Sequence, residues 1–379
     1  MGGCMEMCIY LDNNATTTPL PEVIEVMNRA WSKGGNPSSP HGLGRQCRQL
    51  LESARAAVED RLDADPDSLI FTAGATEANN LVLKGVLLPK LFEGRRPRLI
   101  TTVVEHSSIQ KTADWLERLG VEVVRLDVDS QGQVTGLEEA LPADLVSIQW
   151  VNSETGIVQP IATLAESCRA RGVPFHTDAA QAIGKIPVSL DRLPIDFLSF
   201  TAHKFHGPAG IGVLYVRRRD RLTPILHGGD QEFGLRPGTE NLAGILGLAR
   251  ALEIRYQDFD AIVSRLSQLR NRLETGLRDR LSIRIIGETA PRVGNVANIL
   301  FPKADGQALV AKLSQHGVYC SQTSACVASR PEPSYVLKAM GLSEEDAWRC
   351  IRFSVSVLNR EEEIDRAVQI ITDCYRQLV

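Results

Sequence analysis

What most limits the folds open to this chain is the alternation of short aliphatic runs with longer helical stretches through its first two-thirds. Strand-like runs are expected at Leu69–Thr72, Arg98–Val103, Glu122–Leu126, Leu145–Trp150, Pro174–His176, Phe197–Phe200 and Gly212–Val216. Helix-like segments fall at Pro21–Lys33, Arg45–Leu62, Thr76–Phe92, Ser108–Leu119, Ile161–Arg171 and Asn241–Gln257. Strands separated by helices predict an α/β fold, a sheet with helices packed against it. A polar helix, Asp258–Leu281, then leads to a second unit with strands near Arg284–Ile286, Asn295–Phe301 and Ile351–Ser356 and helices near Gly306–His316 and Glu361–Leu378. The chain has 379 residues, room for roughly two domains, and no internal repeat or low-complexity linker. The expected division is a large α/β domain over residues 16–257 and a small α+β domain built from 1–15 and 258–379.

Charge and composition remove several function classes. Lysine plus arginine total 42 against 46 acids, a formal net charge of -4, so the chain lacks the basic field expected of a nucleic-acid binder. No apolar run approaches the ~20 residues needed to span a bilayer. The start, Met1 to Cys8, has neither a basic region nor a long apolar one, so it does not read as a secretory signal. Glu6 stands where myristoylation expects Ser or Thr, and Met5 and Met7 are alternative starts. The eight cysteines, at 4, 8, 47, 168, 320, 326, 350 and 374, are scattered rather than framed for disulfides, which points to the reducing cytoplasm. Cys4 and Cys8 have a metal-like gap but no second ligand pair, so no metal is expected.

The informative residues follow the aliphatic runs. Thr76 comes after Leu69–Thr72, His106 after Leu99–Val103, Asn152 after Leu145–Trp150, Asp178 and Gln181 after Val173–Thr177, and His203 and Lys204 after Phe197–Phe200. Carboxyl ends of parallel strands share one edge of an open sheet, and ligands bind in the crevice there. Each residue alone has a plainer explanation: a solvated lysine, a helix-capping aspartate, an ordinary strand–helix turn. Together they suggest three attachments. A partly desolvated Lys204 amine suits an imine with an aldehyde, Asp178 suits a protonated pyridine nitrogen, and the turn Gly74-Ala75-Thr76 suits a phosphate. Those are the requirements of pyridoxal 5'-phosphate.

The small domain adds Tyr319 to Ser334, rich in small and turn-forming residues, which reads as an exposed loop carrying Cys326. A cysteine in such a loop is either incidental or able to meet ligands and partners. Cys320, Cys168, Cys350 and Cys374 read as packing residues. Arg352, a charge inside a strand pattern, is either a sheet-face arginine or a clamp for a substrate carboxylate.

These residues resemble the pyridoxal-phosphate cysteine desulfurases of the NifS/IscS type, within the class V aminotransferases of fold-type I. The matching motifs run from Tyr10-Leu-Asp-Asn-Asn-Ala-Thr-Thr17 through Gly35–Ser39, Thr72–Glu77, His176–Gln181, Ser199–Lys204 and Arg236–Asn241 to Ser324-Ala-Cys326. The resemblance implies a mixed, mostly parallel sheet flanked by helices in the large domain, with the cysteine loop on the small one. Lys204 is implied as the imine lysine and general base, Asp178 as the partner of the ring nitrogen, His106 as the residue stacked on the ring and Gln181 as a donor to the phenolic oxygen. Ala75, Thr76, Thr201 and His203 match phosphate-binding positions, and Thr239 a phosphate contact given by the other subunit of a homodimer. Asn152 and Arg352 match the groups that hold the substrate carboxylate, and Cys326 the nucleophile.

The implied reaction converts L-cysteine to L-alanine and leaves a persulfide on Cys326 for a sulfur-acceptor protein or scaffold. Such an enzyme would supply sulfur for iron-sulfur clusters or tRNA thiolation. Three features depart from the family pattern: Ser321–Ser324 with Arg330-Pro331 in the loop, Pro237, and the lack of a longer tail by which a scaffold docks. A selenocysteine lyase, a cofactor-dependent lyase or transaminase that does not use Cys326, and a non-enzymic sulfur-relay subunit are the alternatives.

Overall fold

A computed structural model describes residues 8–322 and 332–379. The strands, in chain order, are β1 (Ile9–Tyr10), β2 (Leu69–Thr72), β3 (Arg98–Thr102), β4 (Glu122–Leu126), β5 (Leu145–Ser147), β6 (Phe175–Asp178), β7 (Phe197–Thr201), β8 (Gly212–Val216), β9 (Arg284–Ile285), β10 (Val296–Leu300), β11 (Val318–Tyr319) and β12 (Cys350–Ser354). Seven of them form one sheet in the order β2-β8-β7-β6-β5-β3-β4. Only β8 runs against the rest: it pairs antiparallel with both β2 and β7, while every other ladder is parallel. The expected mixed, mostly parallel sheet is therefore present, and the polar residues after β2, β3, β5, β6 and β7 all leave at one edge.

Period-two alternation builds the two faces of this sheet. Leu198 and Phe200 of β7, with Val213 and Tyr215 of β8, pack into one apolar cluster shared with the helices Pro21–Lys33, Gly42–Leu62 and Leu242–Gln257. Phe197, Leu214 and Val216 turn the other way, towards Leu81, Leu83 and Leu87 of the helix Ala75–Phe92 and Ile109 and Leu116 of the helix Ser107–Arg118. Both faces being covered explains why the strands read as continuous apolar runs.

A second, antiparallel sheet, β12-β10-β9, packs against the helices Phe259–Arg278, Gly306–Gln315 and Glu361–Arg376 around its own apolar cluster, which includes Leu273, Ile299, Phe353 and Ile371. β1 was not expected from the sequence. Two residues give no periodicity to read; it exists because Ile9 and Leu11 donate to Gly317 and Tyr319 carbonyls alongside β11. The expected strand Leu145–Trp150 is assigned only to Ser147, although Ile148 N–H and Trp150 N–H still donate to the His176 and Asp178 carbonyls of β6; the Trp150 carbonyl instead receives Gln159 N–H. The expected division at residues 257 and 258 falls between the helices Leu242–Gln257 and Phe259–Arg278, which meet at Asp258. Among the described residues, no helix is long and apolar enough to cross a membrane, and no cluster of three or more His, Cys, Asp or Glu could hold a metal.

The segment after β1 ties the two sheets together. Asn13 N–H and Nδ2 donate to the Ser354 carbonyl of β12, and the Asn14 N–H donates to Ser354 Oγ. Thr17, three residues on, donates from N–H and hydroxyl to the His203 carbonyl just beyond β7. Phe200 anchors β7 from within the core and is fully buried. Replacing it with alanine should cost ~3–5 kcal/mol of stability in urea unfolding, since the rigid sheet collapses poorly onto the cavity.

Candidate active site

The carboxyl edge of the large sheet opens into a cavity of about 570 Å³. Its walls include Asn14, Ala15, Ala75, Thr76, His106, Asp178, Gln181, Thr201, His203, Lys204 and Arg352. The sheet thus brings together most of the residues singled out from the sequence. Lys204 sits in a short 3-10 turn, Ala202–Lys204, directly after β7. Its Nζ donates to the carbonyl oxygens of Asn14 at 2.7 Å and Ala15 at 2.8 Å.

Asp178 ends β6 and is buried. Its Oδ1 accepts from Ala180 N–H at 3.0 Å, the Asx turn that carries the chain away from the strand. Its Oδ2 accepts from Asn79 Nδ2 at 2.8 Å. Asn79, buried in the helix behind the cavity, also donates from Nδ2 to Ser108 Oγ at 2.9 Å, and Ser108 Oγ lies 2.8 Å from His106 Nδ1. Ser108 N–H donates to the same His106 nitrogen, capping the helix Ser107–Arg118. A neutral His106 therefore carries its proton on Nε2. An amide and a hydroxyl thus join the carboxylate to the imidazole.

Helix Ala75–Phe92 begins at the cavity wall, and its N-cap, Gly74, supplies no side-chain cap. The first amides of a helix have no partner within it, so Ala75, Thr76 and Glu77 offer N–H groups and the positive end of the helix dipole. No residue with a side chain fits opposite: a Cβ on Gly212 would lie 2.6 Å from Gly74. His203 is close by, with Nδ1 3.1 Å from Thr16 Oγ1. Burial, with the Lys204 and Lys185 cations adding to it, pushes its imidazole down to about 4, so it is neutral at physiological pH. Thr201 also lines the cavity, but its hydroxyl hydrogen is directed at the Ile211 carbonyl, 2.8 Å away.

Arg352 enters from β12 and is almost fully buried. Nη2 pairs with Asp12 Oδ1 at 2.6 Å and Nη1 donates to the Ser153 carbonyl at 3.1 Å. Its Nε has no partner among the described residues. A buried, incompletely bonded guanidinium beside a cavity suits an anionic ligand.

Two expected residues lie elsewhere. Asn152 is not on the cavity wall. Its Oδ1 accepts from Glu154 N–H, Thr155 N–H and Thr155 hydroxyl, and its Nδ2 donates to the Val104 carbonyl, so its amide closes the turn after β5. Thr239 lines a separate cavity of about 220 Å³ with Thr72, Gly210, Glu232 and Arg236. Cys326 lies outside the described residues. The described flanks of its segment bond to named groups: Ser321 exchanges backbone hydrogen bonds with Arg352, and Ser334 Oγ donates to the buried Glu154 carboxylate. The cysteines expected to pack, Cys168, Cys350 and Cys374, are buried, and Cys320 packs against the small-sheet core with its thiol pushed upward by burial.

A class-V aminotransferase model matches residues 9–367. The chain belongs to this family. It is 40% identical to a protein from Klebsiella pneumoniae described as "Cysteine desulfurase IscS", over 97% of this chain and 92% of that one. It is 38% identical to a Dictyoglomus turgidum protein of the same description, over 97% and 94%. A solved structure described as a NifS-like protein superposes with a TM-score of 0.91 at 38% identity, covering 98% of this chain and all of that one. Another, described as SspA in complex with cysteine, gives 0.82 at 34% identity over 92% and 99%.

Several residues at this site carried no chemical signal in the sequence: Asn14, Asn79, Lys185 and Glu105. Asn14 sits in a motif already noted, but its role depends on a fold that brings residue 14 to residue 204. Glu105 is fully buried, accepting from Thr102 hydroxyl and Gln149 N–H. Desolvation, with the Asp178 charge as a further cause, pushes its carboxyl up to about 8. The folded state then holds a proton that the unfolded chain releases near 4.5. Stability from this group is complete below about 4.5 and is lost as pH rises to about 8. Glu105→Gln should therefore gain stability relative to the wild type between pH 5 and pH 8 in urea titrations; a constant difference would contradict the assignment.

Proposed function

We propose that this chain is a pyridoxal-phosphate-dependent cysteine desulfurase, which releases L-alanine from L-cysteine and keeps the sulfur as a persulfide on Cys326 for an acceptor. The enzyme class follows from family membership and from full-length relatives near 40% identity. What carries the reading to particular residues is one juxtaposition, the Lys204 amine, the Asp178 carboxylate, the uncapped helix at Ala75 and the Arg352 guanidinium around one cavity.

These groups fit the cofactor. The helix amides and Thr76 would hold its phosphate, Asp178 would keep its ring nitrogen protonated, His106 would lie on the ring face and Gln181 would reach the phenolic oxygen. His203, neutral as it stands, is a hydrogen-bonding neighbour of the phosphate rather than a charge. Thr201 joins it only if its hydroxyl turns from the Ile211 carbonyl. When bound, pyridoxal phosphate supplies an aldehyde for an imine link and a ring that draws electrons from the substrate α-carbon.

The remaining work belongs to the chain. Arg352 binds the substrate carboxylate, using the Nε that lacks a partner in the ligand-free arrangement. Asn152 shapes the turn beside it rather than touching the substrate. The Lys204 amine, at the cavity wall, would take the substrate α-proton and return it. The Cys326 thiolate attacks the substrate sulfur: an S–S bond forms, the C–S bond breaks, and its electron pair takes up a proton to complete alanine. The persulfide then passes to an acceptor protein or scaffold. The backbone exchange between Arg352 and Ser321 puts Ser321, a described residue that precedes the Cys326 segment, next to the group that binds the substrate carboxylate.

The position of Thr239, away from the main cavity, supports a homodimer in which it serves the partner's phosphate. A cytoplasmic setting agrees with the six described cysteines being free thiols.

Cys326→Ser should keep bound yellow cofactor and lose persulfide formation from L-cysteine, scored by alkylation and mass spectrometry. A transaminase or lyase that ignores this thiol would keep full turnover. Arg352→Lys should raise KM for L-cysteine about tenfold with a smaller effect on kcat, because a lysine cannot keep the bonds to Asp12 and the Ser153 carbonyl and also present the Nε–H donor to the substrate carboxylate.

A further inference from the structure

Lys185 lies seven residues after Asp178, in the turn that follows β6, and is almost completely buried. Among the described residues, no acidic group acts on it. The charges acting on it are Lys204 beyond β7, Arg255 of the helix Leu242–Gln257 and Arg352 of β12, all of its own sign. Its Nζ donates to Asn14 Oδ1 at 3.0 Å and to Gln181 Oε1. Both acceptors belong to the cavity wall.

We propose that Lys185 is a positioning residue for the cofactor edge of this site, holding Gln181 and Asn14 in the orientation the bound cofactor needs. The inference rests on the cofactor reading above and adds to it a residue that has no contact with the cavity itself.

The hydrogen bonds give the reason. Gln181 Oε1 is engaged by Lys185, so Nε2 faces the other way, donating one hydrogen to the Asn14 carbonyl at 3.0 Å. Its second Nε2 hydrogen is left for the cavity, where the cofactor's phenolic oxygen is placed. The same Asn14 carbonyl receives Lys204 Nζ, so one backbone oxygen registers the amide against the amine. Asn14 is clamped on three further sides: Oδ1 receives Lys185 and Asn295 Nδ2, and Nδ2 donates to the Ser153 carbonyl. Burial and the three neighbouring cations drive the Lys185 amine well below the usual lysine range. An amine buried among cations, donating to two wall residues, is placed to orient them.

Without it, Gln181 Oε1 becomes a buried acceptor with no donor, and the amide turns to find one. The donor to the phenolic oxygen is then lost. A donor at that oxygen favours its anionic form, so its loss raises the pH at which the bound cofactor's visible band converts between its two protonation forms.

The test uses the full chain loaded with pyridoxal phosphate. In Lys185→Met the midpoint of that spectral titration should rise by about one pH unit and cofactor retention on gel filtration should fall about tenfold, the scale of one hydrogen bond to a charged group. In a Gln181→Ala background the same substitution should add nothing. Lys185→Gln, expected to shift in the same direction, is read the same way should the methionine variant not fold. An unchanged midpoint, or an equal shift with and without Gln181, overturns the inference while a yellow wild type leaves the cofactor reading intact. A wild type that takes up no chromophore overturns both.

Discussion

The site depends on a contact between two backbone carbonyls and one amine. Lys204 leaves β7 at the sheet edge, and the carbonyls of Asn14 and Ala15 receive its Nζ at 2.7 and 2.8 Å. Those carbonyls are available only because the segment after β1 has been carried across from the small sheet and bonded to Ser354 of β12. The position of the amine is therefore a product of both sheets. Neither the large sheet nor the N-terminal segment alone would put a lysine, an aspartate and an arginine around one cavity.

The chemistry around that contact is organised by desolvation. Asp178, Glu105, His176, Lys185 and Arg352 are all buried, a concentration of ionisable groups that would be costly without partners. Each is bonded in a different way. Asp178 has an amide N–H and Asn79, Arg352 has Asp12 and a carbonyl, Lys185 has two amide oxygens, and His176 lies between two serine hydroxyls, Ser147 Oγ at 2.8 Å and Ser199 Oγ at 3.0 Å. His176 and His203 are both pushed down to about 4 by burial, and so stay neutral beside a site that already holds Lys204 and Arg352. The cavity keeps a positive character suited to an anionic cofactor and a carboxylate substrate, while the His203 imidazole on its wall remains an uncharged hydrogen-bonding group.

Much of this was legible in the sequence because it is local. The helix Pro21–Lys33 and the strands Leu69–Thr72, Glu122–Leu126 and Gly212–Val216 follow from apolar runs bounded by turn residues. The residues after the runs converge because parallel strands share a carboxyl edge, an inference that needs direction but no distances. What could not be read is non-local. β1 is two residues long and forms only because β11 lies beside it. Asn152 sits at a strand exit like the others, yet its amide turns inward to Glu154 and Thr155; exit position alone does not fix where a short side chain points. The roles of Asn14 and Asn79 depend on partners 190 and 99 residues away, and a buried lysine such as Lys185 resembles a surface lysine until its surroundings are known.

The central claim is that one amine, Lys204, forms the covalent link to the cofactor. Loading the chain with pyridoxal phosphate, reducing it with borohydride and mapping the labelled peptide by mass spectrometry tests that claim directly. The account predicts a single modified peptide with the cofactor on residue 204. A label on Lys185, on a surface lysine, or on no peptide at all would contradict it.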